Sequence, residues 1–146
     1  MKKNSGFTLI EVLLVIAVIA ILAAIVIIAI NPARQIAQAN NAQRAANVNT
    51  ILNALGQYAI NNRGVYPASV TSTATPICSM GTSTSGCIDL SALTNNQIYL
   101  PDIPADPLSP DTSSTWYYVI KSTSTNPRIT VSAPAAELGA TISVTR

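Results

Sequence analysis

Lys2-Lys3-Asn4-Ser5-Gly6-Phe7-Thr8-Leu9-Ile10-Glu11 is followed by Val12 to Ile30, nineteen residues without a charge. As a helix such a run covers about 28 Å, close to the roughly 30 Å hydrocarbon core of a bilayer. A core helix of a soluble domain would carry a polar face instead. Glu11 stands at the N-terminal edge of the run. A carboxylate there is costly unless it is protonated, paired or near the headgroups. On composition alone, a plain membrane anchor with Glu11 at the interface is the alternative reading.

The stretch Gly6-Phe7-Thr8-Leu9-Ile10-Glu11-Val12-Leu13-Leu14 resembles the N-terminal signature of type IV prepilins and of the pseudopilins of type II secretion and competence systems. That pattern is a short basic leader ending in Gly, then Phe, then Glu four residues later at the head of an apolar helix. The resemblance covers roughly residues 1 to 63. It implies a leader, residues 1–6, removed between Gly6 and Phe7 by a prepilin peptidase, and methylation of the new amino group of Phe7. It also implies that Phe7 and Glu11 serve assembly. The expected partners are identical subunits in a helical filament, the peptidase, the assembly platform and the membrane. The precursor is expected in the cytoplasmic membrane, with Lys2 and Lys3 inside and the head outside, and the assembled form in an extracellular pilus.

The 146 residues suit one small domain plus a projecting helix. Net charge is +2, and removal of Lys2 and Lys3 leaves six basic and six acidic side chains. A near-neutral subunit packs against copies of itself without long-range repulsion. No basic patch marks a direct nucleic-acid site. The chain has no histidine, which removes the commonest general base and metal ligand together. With no phosphate loop and no CxxC, an enzyme is not expected and no cofactor is implied.

The chain reads as four segments: leader 1–6, transmembrane helix 7–30, amphipathic helix 31–63, and head 64–146. Asn31-Pro32 interrupts the helical pattern. Asn31 as an N-cap with Pro32 at the first helical position is one reading. A continuous helix bent at Pro32 is the other, and the favoured one. Val48, Ile51, Leu52, Leu55, Tyr58 and Ala59 fall on one helical face, opposite Asn47, Asn49, Asn53 and Gln57. Arg34 and Arg44 are expected to be solvated or at headgroups. Arg63-Gly64 reads as the helix stop.

Residues 65 to 97 read as loop, with Leu90, Leu93 and Ile98 as anchors. Cys78 and Cys87, an even pair in a Ser/Thr-rich loop behind an export signal, read as a disulfide. Trp116–Lys121, Arg128–Ala133 and Thr141–Thr145 read as strands, with turns at 122–127 and 134–139. Three or four strands against the helix give an α+β, type IV pilin-like fold.

Tyr99 to Asp111 holds three carboxylates and four prolines. Asp102, Asp106 and Asp111 are weak calcium candidates. The spacing is not an EF-hand, and a stiff structural loop is the preferred reading. This Leu-Pro…Asp-Pro pattern also resembles the major pseudopilin, but the Asp/Gly-rich C-terminal loop that supplies its calcium ligands is missing. The expected function is a pilin-like structural subunit of a filament for adhesion, motility or DNA uptake. A secretion pseudopilin and a single-pass anchored binding protein are the alternatives.

Overall fold

A computed structural model describes residues 6–79, 86–110 and 113–146. The chain divides into two compact units, Met1–Ile36 and Ala37–Arg146.

Helix α1 spans Leu9–Ile30, and none of its residues is buried. Thr8 precedes it as an extended N-cap whose hydroxyl accepts from the Glu11 amide at 3.3 Å. Helix α2 spans Pro32–Asn61. Between them Asn31 is left-handed, with φ 48° and ψ 79°. Its side-chain oxygen accepts from the Arg34 amide at 3.3 Å, and its carbonyl accepts from Arg34 and Gln35. The structure therefore takes the capped arrangement and not the bent continuous helix. Pro32 sits where a missing N–H costs nothing, because that group would have no helical partner anyway.

In the second unit α2 buries Val48, Ile51, Leu52, Leu55 and Ala59, the stripe read from the sequence, while Tyr58 is half-buried. Two residues depart from expectation. Asn47, placed on the polar face, is buried, and Arg44, expected in solvent, is fully buried. Arg34 is exposed. The helix ends where Gly64 N–H reaches back to the Ala59 carbonyl at 2.7 Å. The left-handed turn begins one residue early, at Arg63 (φ 57°).

Four strands form one antiparallel sheet in the order β1 (Thr75–Cys78), β2 (Ser114–Lys121), β3 (Ile129–Ala133), β4 (Ile142–Thr145). Strand β1 lies in the segment read as loop. So does the single-turn helix α3 (Ser91–Thr94), which follows a bridge from Ile77 to Ile88. That bridge covers the outer edge of β1. Leu90 and Leu93 are anchors as expected, whereas Ile98 is exposed. Tyr117, Val119, Ile129, Val131 and Ala133 alternate inward and meet the α2 stripe in one core.

Strand β2 bulges against β1, where Pro76 faces Tyr118 but Cys78 faces Ser114. Trp116 takes φ 63° there. The buried Thr115 hydroxyl holds the bulge by donating to the Ile77 carbonyl and accepting from the Tyr117 amide. A second strained position lies between β3 and β4. Ala140 N–H donates to the Glu137 carbonyl across Leu138 (φ 59°) and Gly139 (φ 69°). Positive φ at both central residues is the type I′ pattern, which favours Asn-Gly. Leucine there costs about 1–2 kcal/mol.

Candidate functional site

Gly6, Phe7 and Thr8 lead directly into the apolar helix α1. Gly6, Phe7 and Thr8 lie outside any helix and are exposed. Glu11 is the third residue of α1, and its carboxylate turns back to the Thr8 amide at 3.5 Å. With the Thr8 hydroxyl on the Glu11 amide, this is a reciprocal capping box. The negative side chain also sits at the positive end of the helix dipole. Phe7, Glu11, Val12, Val15 and Ile16 line one groove. Glu11 is thus held at the mouth of an apolar surface by its own helix start. The Thr-x-x-Glu spacing before an apolar run is the sequence sign of this box.

Helix α1 has 22 residues and is long and apolar enough to cross a membrane. Its length of about 33 Å matches a bilayer core.

The head is fastened by a polar cluster centred on Arg44. The guanidinium holds Asp106 through two bonds, Nε to Oδ2 at 2.7 Å and Nη2 to Oδ1 at 3.0 Å. Its Nη1 donates to Glu137 Oε2 at 2.7 Å and to Asn41 Oδ1 at 2.9 Å. Asn40 also donates to the Glu137 carboxylate. Asn41 donates to the Glu137 carbonyl and accepts from its amide. Asn47 donates to the Tyr117 hydroxyl and to the Ala105 carbonyl. No buried side-chain N or O among the described residues lacks a partner. The forked pair with Asp106 holds the Arg44 pKa above its usual value. The bond from Arg44 holds the Glu137 carboxyl below the usual range, and burial pushes the Tyr117 phenol up.

This cluster decides how the proline-rich loop is used. Asp106 is committed to Arg44 with both oxygens. Asp102 accepts from the Ile103 amide at 2.7 Å and so shapes its own turn. Asp111 lies outside the described residues. Among the described residues no group of three or more Cys, Asp or Glu side chains is placed to hold a metal.

Cys78 and Cys87 are joined, with Cα atoms 5.1 Å apart. The bridge ties the end of β1 to the segment that carries Ile88 alongside it.

Residues 1–30 match the family described as Prokaryotic N-terminal methylation motif. Comparison with curated proteins and with solved structures gave no match. The matched residues include Gly6, Phe7, Glu11 and the whole of α1. The chain therefore carries the signature of type IV prepilin- and pseudopilin-like proteins, on a long apolar helix continuing into a helix packed on a four-stranded antiparallel sheet.

Proposed function

We propose that the chain is a type IV pilin-like structural subunit. A prepilin peptidase cuts it between Gly6 and Phe7 and methylates the Phe7 nitrogen. The subunit waits in the cytoplasmic membrane on α1, with its head outside. An assembly platform then draws it into an extracellular helical filament of identical subunits, with α1 helices in the filament interior.

One observation carries this reading: the residues that match the methylation motif end in a 22-residue apolar helix with no buried residue. Such a surface needs lipid or other copies of itself around it. A filament interior supplies the second without new chemistry. Glu11 then meets a cationic amine created by cleavage, on its own chain or on a neighbour. That pairing lowers the cost of a carboxylate among apolar helices.

Intact-mass measurement on filaments sheared from cells tests the reading. The expected mass is that of a chain starting at Phe7 with one added methyl and one disulfide. A surface-exposed chain that keeps Met1 to Gly6 would sink it and return the protein to a plain anchored head.

A further inference from the structure

The head exposes large apolar side chains at both ends of its packed helix. At the end near Asn41, Leu138 stands on the turn that Asn40, Asn41 and Arg44 grip through Glu137. Leu108 is close by in connectivity, since its amide donates to Asp106, the other acid on Arg44. At the opposite end Ile60 and Val65 flank the helix stop. Ile98 adjoins Tyr99, whose hydroxyl accepts from Asn61 and whose ring packs edge-on against Tyr58. All five apolar side chains are more than half exposed. From Asn41 to Asn61 the helix rises about 30 Å, so the two ends lie far apart on one head.

Leu138 is the informative residue. Its backbone geometry favours asparagine or glycine, and the turn around it is fixed by several hydrogen bonds. An exposed leucine held there serves through its side chain, because its backbone would be better served by another residue. The charges differ between the ends as well. Arg44, Asp106 and Glu137 leave one net negative charge beside Leu108 and Leu138. Arg63 lies between Ile60 and Val65, exposed and in no ion pair among the described residues.

We propose that the Leu108–Leu138 end of one head docks on the Ile60–Val65–Ile98 end of a second copy. Apolar meets apolar, and the net negative end meets Arg63. The two surfaces are different, so the contact is head-to-tail and leaves a free surface at each end of every oligomer. Repetition therefore extends a chain of heads instead of closing a dimer. This contact rests on the filament reading and specifies which parts of the heads touch within it.

The test uses the full chain in cells, with Val65→Cys and Leu138→Cys together and a short bis-maleimide as probe on sheared filaments. Cys78 and Cys87 are already joined and do not compete. The expected result is a ladder of dimers, trimers and longer products from the double variant, with monomers from each single variant. Wild-type filaments alongside a double variant that stays monomeric would overturn the contact while leaving the filament reading intact. Dimers from Leu138→Cys alone would also overturn it, since like ends would then be meeting. Absence of wild-type filaments removes the filament reading and the contact with it. Leu138→Gly guards against a folding failure, because glycine suits this backbone. It should leave the amount of membrane-held subunit unchanged and reduce filaments by on the order of tenfold. Undiminished filaments from Leu138→Gly would overturn the proposal.

Discussion

Helix α1 and the head half of α2 follow opposite rules. In α1 apolar residues cover every face and none is buried. In α2 one stripe is buried against a sheet, and the polar residues beside it have assigned partners. The charged residues show the contrast best. Arg44 is completed inside its own head by two acids and an asparagine. Among the described residues Glu11 reaches the start of its own helix and no other group. A helix of interchangeable Ile, Val, Leu and Ala surfaces has little to set its position along a neighbour. Its one charge can set that register. The head is specified internally, whereas α1 is specified by what surrounds it.

The largest expected effect breaks the α1 side of this contrast. Glu11→Val should leave membrane insertion and cleavage after Gly6 intact. On the proposed function it removes the partner of the amine that cleavage would create, and one uncompensated charge in an apolar bundle costs about 3–5 kcal/mol. Filaments should fall by about a hundredfold or more. Fractionation with mass determination should find cleaved subunit retained in the membrane. Normal filament numbers, with no wild-type copy present, would return Glu11 to an interface role.

On the head side, Arg44→Ala strands a buried Asp106 and should cost about 3–5 kcal/mol. Thermal melting of the full chain in detergent reads this loss. Arg44→Met combined with Asp106→Leu should restore much of it, because the cost lies in the orphaned charge and not in the missing pair. A double variant no better than Arg44→Ala would show that the cluster acts through its wider network.

How much of this was legible follows the same division. The α1 segment, its motif and the α2 stripe were readable because helical periodicity and local spacing carry them. Thr8 and Glu11 were equally local. Arg44 and Asp106 are 62 positions apart, and no periodicity links a lone arginine to one aspartate in a proline-rich loop. Arg44 lies beside the apolar stripe, where exposure was the reasonable expectation. Strand β1 was missed because four residues, one of them Pro76, sit in Ser/Thr-rich sequence. The pairing that makes them a strand comes from β2, distant in the chain, and from Ile88 across the disulfide loop.

Opening the Cys78–Cys87 bridge by replacing both with Ser should cost about 2.5–3 kcal/mol on the chain-entropy account for a ten-residue loop. Melting with and without reductant should show this shift in the wild type and none in the variant. An equal response from the variant would place the effect of reductant elsewhere.

Acid should loosen the grip on the β3–β4 turn by a smaller amount, since Glu137 is partly exposed. Its folded pKa is depressed, first by the bond from Arg44 and then by that from Asn40. A depressed acid contributes stability that is fully present above its unfolded value of about 4.3. That contribution is lost as pH falls from there through the lower folded value. Melting temperature should therefore drop with acid more steeply in the wild type than in Glu137→Gln. Parallel pH curves would show that Glu137 does not couple the turn to α2.

The smallest effect is expected at the junction between the two helices, and its sign separates the two ways of reading Asn31-Pro32. If Pro32 were straining a continuous helix, Pro32→Ala would restore a missing hydrogen bond to the Ile28 carbonyl and stabilise the region by several kcal/mol. In the capped arrangement Asn31 ends α1 in a left-handed conformation and starts α2 with its side chain on the Arg34 amide. Pro32 then breaks nothing and limits the unfolded chain. Its replacement by Ala should cost only about 0.4–1 kcal/mol. Asn31→Ala should cost more, because it removes the cap and leaves a Cβ in left-handed backbone without a local hydrogen bond. Hydrogen exchange at the Arg34 and Gln35 amides, in detergent, reads both changes directly. Slightly faster exchange in Pro32→Ala and clearly faster exchange in Asn31→Ala is the expected order. Markedly slower exchange in Pro32→Ala would mean that the two helices had fused, and that the proline, not the asparagine, keeps them apart.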